Sequence, residues 1–138
     1  MGRAGYCEDG DYDHANLYRG AVDRALAGKR GQAFLKDLLA SFDALPEKKL
    51  IAESLKIEDG AVCSLGAVAL MRGISTDPLE DAFESENYDV VAKAFGIAES
   101  MVREIVYMND EAAWSRESPE KRFERMRAWV VSQINAAA

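Results

Sequence analysis

Cysteine and histidine are nearly missing from this chain: Cys7, Cys63 and His14 are all it has of either. Two isolated cysteines exclude a disulfide framework, a zinc ribbon and a CxxC redox pair. A lone histidine also leaves little for nucleophilic or metal chemistry, since a nucleophile needs a base within hydrogen-bond reach. Cys63 lies in AVCSLGAVAL, an apolar stretch where a thiol acts as a small core residue. Long apolar runs are lacking as well. None approaches the roughly 20 residues of a membrane helix, and MGRAGYCEDGDYDH has no apolar segment of the secretory kind. Tyr6 occupies the place where an N-myristoylation signal has Ser or Thr. A cytoplasmic protein with no membrane association is expected.

Positive charge is in short supply. Seventeen Lys and Arg face 24 Asp and Glu across 138 residues, a formal net charge of −7. Such a chain repels polyphosphate at long range, which disfavours generic nucleic-acid binding. What is present is ordinary for one globular domain: 49% hydrophobic and 30% charged residues, enough to bury a core without metal or disulfides.

Residues 1–13 read as a polar, acidic arm. The alternation Asp9, Asp11, Asp13 suggests a calcium loop, but glycine and glutamate are required at the sixth and twelfth places. His14 and Gly20 stand there instead. Residues 14–138 read as a single helical domain. HANLYRGAVDRALA predicts a first helix ending near Gly28. Phe34, Leu35, Leu38, Leu39 and Phe42 predict a strongly amphipathic second helix over 32–44, ended by Pro46. Residues 50–63 suit a short hairpin turning at Asp59-Gly60, or a helix opened by Pro46, with the hairpin preferred for its turn signal. CSLGAVALMR predicts a short buried helix ending at Gly73, and residues 74–86 a polar connection. NYDVVAKAF and IAESMVREIVYMND predict two helices separated by Gly96, and Ser118-Pro119 opens a last helix reaching about Ile134. The fold class expected is mainly α, a single-domain orthogonal bundle of five or six helices.

VAKAFGIAESMVREIV has the parts of a helix-turn-helix corner. Ala92 is the small crossing residue, Gly96 the turn, and Val91, Phe95, Ile97, Val102 and Ile105 the packing set. Base readout further needs polar or basic side chains near the start of the second helix and cations for phosphates. The exposed candidates are Ala98, Glu99, Ser100, Arg103, Glu104 and Tyr107, in which acids outnumber bases. The last helix adds Lys121, Arg122, Arg125 and Arg127, whose plainer reading is a solvated face with ion pairs along the helix. Ser100, Arg103, Tyr107, Arg122 and Arg125 are therefore the candidate DNA contacts of a disfavoured alternative. Lys29-Arg30 in AGKRGQ sits between glycines but lacks the long loop and Lys-Ser/Thr ending of a P-loop. No catalytic, cofactor-binding or metal-ligating residues are assigned.

Over GKRGQAFLKDLLASFDALPEKKLIAES, EDGAVCSLGAVALMRG, AKAFGIAESMVREIVYMND and SPEKRFERMRAWVVSQI, the chain resembles a family of small, uncharacterised proteins encoded in bacteriophages and prophages. The resemblance covers the chain from about Gly20 onward together with GYCEDGD; the acidic arm and residues 74–89 depart most from it. It implies an origin in mobile DNA and brings no catalytic residues. It also implies stoichiometric binding to a host or phage protein, with inhibition of a host-defence component as one form. Trp114, Trp129, Tyr6 and Tyr12 are the candidate anchors, because aromatic residues carry much of a typical interface's energy. A small helix-turn-helix regulator is the alternative.

Overall fold

Helix-forming stripes separated by glycine and proline dictate the architecture. The computed structural model describes residues 12–112 and 116–137, with side chains from Leu17 to Ala136 apart from 113–115. Seven helices occur among the described residues: α1 (Tyr12–Ala27), α2 (Lys29–Ala44), α3 (Ser64–Arg72), α4 (Asp77–Glu84), α5 (Tyr88–Phe95), α6 (Glu99–Asp110) and α7 (Pro119–Ala137). They form one mainly α bundle. The count exceeds the five or six expected because residues 74–86 are not a mere connection.

α4 begins where Pro78 meets no cost, at the first helical positions, and Asp77 and Glu80 suit the positive end of its dipole. Its buried side consists of Leu79 and Phe83 alone. Residues 50–63 are neither helix nor a hairpin of named strands. One isolated antiparallel bridge joins Lys56 to Val62 across the turn at Gly60, whose φ is +91°. The segment is held from outside: Leu50 N–H donates to Pro119 O (3.0 Å), Ile51 N–H to Val62 O (2.9 Å) and Leu55 N–H to the Glu80 carboxylate (2.9 Å). Leu50 and Leu55 are thereby fixed in the core.

α2 supplies the middle of the core through Phe34, Leu35, Leu38 and Phe42, the stripe read from its sequence. It packs against α1, α3 and α7. Phe42 meets Phe123 of α7 with ring centroids 5.7 Å apart, and Phe34 meets Phe95 of α5 edge-on at 6.0 Å. Leu45, preceding Pro46, leaves the helix with extended backbone. The Lys48 ammonium then donates to the carbonyls of Phe42, Asp43 and Leu45, placing a cation at the negative end of α2.

α3 lies so close to the 50–63 segment that a side chain on Gly66 would have its Cβ 2.0 Å from Leu55 O. Only glycine allows that approach. α3 and α5 both end on a left-handed glycine, Gly73 and Gly96, each with φ of +72°. Arg72 joins these ends: it donates to Phe95 O (3.0 Å), pairs with Asp37 of α2 (2.6 Å) and lies over the Phe34 ring.

Candidate functional site

The α5–α6 corner has the packing its sequence suggests. Val91, Ala92, Phe95, Ile97, Val102 and Ile105 are all buried, and the chain turns at Gly96. What differs is the position of the second helix. α6 is packed against α1, α3, α5 and α7, and of its twelve residues only Glu99 is exposed. A helix that reads a major groove must present a free face along its first turns. α6 is a central strut.

Ser100 and Tyr107 are half-buried. Arg103 pairs with Glu99 one turn earlier (3.1 Å) and lies over the Tyr88 ring at 5.1 Å. Glu104, read from the sequence as exposed, is 4% exposed and accepts from Arg19 of α1 (3.2 Å). Burying that carboxylate is tolerable because the guanidinium meets it. Its partner lies 85 residues away, beyond the reach of any local pattern.

Two of the four cations that the sequence places on α7, Arg122 and Arg125, turn inward, while Lys121 is exposed and Arg127 stays at the surface. Arg122 donates to Asn109 O (3.0 Å) and to Leu50 O (3.1 Å), and its guanidinium stands 3.5 Å from Glu117. Arg125 grips both oxygens of Glu117 and donates to Met108 O and Asn109 O. Two guanidiniums thus satisfy the last carbonyls of α6, where its dipole favours positive charge. The hydrogen bonds from Arg125 hold the Glu117 carboxyl below its usual range. Arg127 pairs with Asp43 of α2 (2.9 Å). The ion pairs expected along the helix face are replaced by these tertiary pairs. Ser118 is the expected N-cap, its hydroxyl accepting from Lys121 N–H at 3.1 Å.

The candidate DNA contacts therefore do not converge. Ser100 stands at the start of α6, whereas Arg122 and Arg125 hold its far end, about 14 Å away at the rise of an α-helix. Of the candidate anchors, Trp129 is half-buried and packed against the core. Tyr12 begins α1 with its side chain outside the described residues, as are Tyr6 and Trp114 altogether.

A polar centre that the sequence reading missed lies beneath the end of α6. Asn109, 2% exposed, accepts through Oδ1 from Ser64 N–H (3.1 Å) and the Ser64 hydroxyl (2.6 Å). Its Nδ2 donates to Ile51 O (2.9 Å) and to Asp110 (2.7 Å). Asn109 thus caps α3, whose own N-cap residue, Cys63, offers no side-chain bond. Asp110 also accepts from Glu53 N–H (3.2 Å), and burial raises its carboxyl above the ordinary value. A signal for this centre exists in the sequence: Asn109 falls four residues after Ile105 on the stripe that faces inward, where a polar residue implies a partner.

Burial likewise pushes the Cys63 thiol up to about 12, so it is protonated at neutral pH and a poor nucleophile. Among the described residues no three His, Cys, Asp or Glu side chains gather as a metal site, and no helix is long and apolar enough to cross a membrane. Compared with protein-family models, curated proteins and solved structures, the chain gives no match.

Proposed function

We propose that the chain acts without catalysis, by binding another protein in a fixed stoichiometry. On this reading it is a bacteriophage- or prophage-derived factor in the host cytoplasm, directed at a host or phage protein such as a component of host defence. The observation that carries the reading is that the arginine side chains of α6 and α7 already have partners within the fold. Arg103, Arg122, Arg125 and Arg127 each answer a carboxylate or a helix end within the fold. A phosphate backbone needs those charges for itself. The surface instead offers two adjacent apolar side chains at the end of α3, Leu70 and Met71, 55% and 42% exposed, on a chain of net charge −7. Apolar side chains of this kind suit a protein contact, with charge selecting the partner.

The test is an affinity capture from phage-infected host lysate with and without nuclease, followed by reconstitution of the captured protein with purified chain. One protein retained after nuclease, bound at fixed stoichiometry and lost with Leu70→Asp/Met71→Asp supports the reading. Duplex DNA binding that falls steeply with salt and is lost in Arg103→Ala replaces it with the helix-turn-helix regulator.

A further inference from the structure

The 50–63 segment leaves one of its inner backbone donors without a partner. Cys63 N–H donates to Leu55 O (3.1 Å) and Ile57 N–H to Ala61 O (3.0 Å), and these two bonds straddle the Lys56–Val62 bridge. In such a non-hydrogen-bonded antiparallel pair, the N–H and C=O of each bridged residue point away from the opposite strand. Those of Val62 therefore face the stretch that leads from Pro46 to Ile51. Its carbonyl is met there by Ile51 N–H (2.9 Å), whereas its own N–H has no hydrogen bond among the described residues. Val62 is 3% exposed, and backbone donors on buried residues are seldom left so.

A cleft of about 330 Å³ lies where the missing partner would stand. Pro46, Glu47 and Lys49 line one side of it, and Asp59, Ala61 and Val62 the other. The Val62 side chain is committed elsewhere: its Cβ would be 2.9 Å from a Cβ placed on Gly66, so it packs on α3. Val62 thus lines the cleft with its main chain. The carbonyls of Lys49 and Gly60, both on the cleft wall, are also unbonded among the described residues. A helix has already used its N–H and C=O groups, but an extended segment carries both kinds free along its edge. The rim is acidic. Glu47, Glu120 and Asp59 all act on Lys49, whose ammonium is tied to Glu47 at 2.9 Å. Lys48 does not compensate, because its ammonium is turned to the carbonyls that end α2.

We propose that this cleft takes an extended, basic segment of a partner protein, which pairs its main chain with Val62 N–H and sets Lys or Arg against Glu47 and Asp59. The proposal rests on the protein-binding reading and adds a surface separate from Leu70 and Met71.

The probe is the capped peptide acetyl-Thr-Val-Arg-Val-Lys-Val-amide, titrated into the full chain and followed by amide chemical shifts and hydrogen exchange. In the free chain Val62 N–H should exchange about tenfold faster than the bonded Cys63 N–H. The peptide should bind saturably with a Kd of about 1 mM, shift the Lys49, Ala61 and Val62 amides, and slow exchange at Val62. Glu47→Lys should weaken binding about fivefold with unchanged helix content, and Leu70→Asp/Met71→Asp should leave it unaltered. The same peptide N-methylated at alternate residues, or with Glu in place of Arg and Lys, should not bind. Equal binding of either control would overturn the proposal, as would a Val62 amide as protected in the free chain as that of Cys63. Shifts confined to Leu70 and Met71 would overturn it too. Partner capture from lysate is scored through Leu70 and Met71 and this titration through Val62, so failure of the protein-binding reading and failure of this proposal are told apart.

Discussion

Removing the Asn109 side chain tests what holds the bundle together where α6, α3 and the 50–63 segment meet. Asn109→Ala strands the Ser64 N–H and the Ile51 carbonyl, both of which have the amide as their hydrogen-bond partner. The Ser64 hydroxyl can rotate elsewhere, and Asp110 retains Glu53 N–H. A buried polar group left without a partner costs about 1–3 kcal/mol. The buried Ser64 N–H, the half-buried Ile51 carbonyl and the small cavity left by the amide together give about 3–4 kcal/mol. For a domain whose whole stability is of order 5–15 kcal/mol, that is a large loss. With a urea m-value of about 2 kcal/mol/M, the unfolding midpoint should fall by about 1.5–2 M.

Urea unfolding followed by circular dichroism measures this directly. Asn109→Leu separates hydrogen bonding from volume, since leucine fills the space but restores neither bond. If the polar groups carry the energy, the leucine variant should fall nearly as far as the alanine one. A midpoint shift under about 0.5 M with an unchanged m-value, or full recovery in Asn109→Leu, would refute the reasoning. Either result would mean that the Ser64–Asn109–Ile51 contacts are bystanders to packing.

The remaining predictions concern titration and thiol access. Glu117 is held below its ordinary pKa by Arg125, so its contribution is present above the usual carboxylate range and is lost as pH falls through the folded value. Glu117→Gln should therefore lower stability at pH 7, and its deficit should shrink as pH falls below the ordinary glutamate range; a deficit independent of pH would refute the ion-pair account. Asp110 has the opposite sign. Its carboxyl is raised, chiefly by burial, so the cost of its charge appears as pH rises through the carboxylate range. The stability of Asp110→Asn relative to the parent should improve between about pH 3 and pH 7, and a flat or falling difference would contradict it. Cys63 should resist iodoacetamide at pH 8 in the native chain and react once urea unfolds it, by peptide mapping; native labelling would contradict its burial.

How much of this was legible in the sequence follows from how local each determinant is. α2 announces itself because Phe34, Leu35, Leu38 and Phe42 repeat at helical spacing, and its end is set by the adjacent Pro46. Gly73 and Gly96 mark the ends of α3 and α5 because a left-handed residue is a local requirement. α4 is hidden because eight residues containing four acids and a proline expose only Leu79 and Phe83 as an apolar pair. The 50–63 segment is unreadable for a stronger reason. Two of its backbone donors are met by Pro119 and Glu80, partners that no window of sequence contains. The acid–base balance was misleading at Glu104, Arg122 and Arg125, where charge suggested solvent and distant partners drew the side chains inward.

That inward draw bears on function as well as on folding. A helix-turn-helix reader leaves its second helix free on one side and lets phosphates complete its arginines. Here α6 is enclosed by four helices, Glu104 anchors it to α1, and Arg122 and Arg125 close its end from α7. Releasing those arginines for DNA would uncover the α6 carbonyls and the Glu117 carboxylate, so binding would have to offset a loss of fold stability. The positive charge that carries no such duty lies at the other end of α6, on the exposed Lys29 and Arg30. Charge–reversal there should leave the bundle intact while reversal at Arg125 unfolds it, and that contrast separates the side chains left at the surface from those the fold has already used.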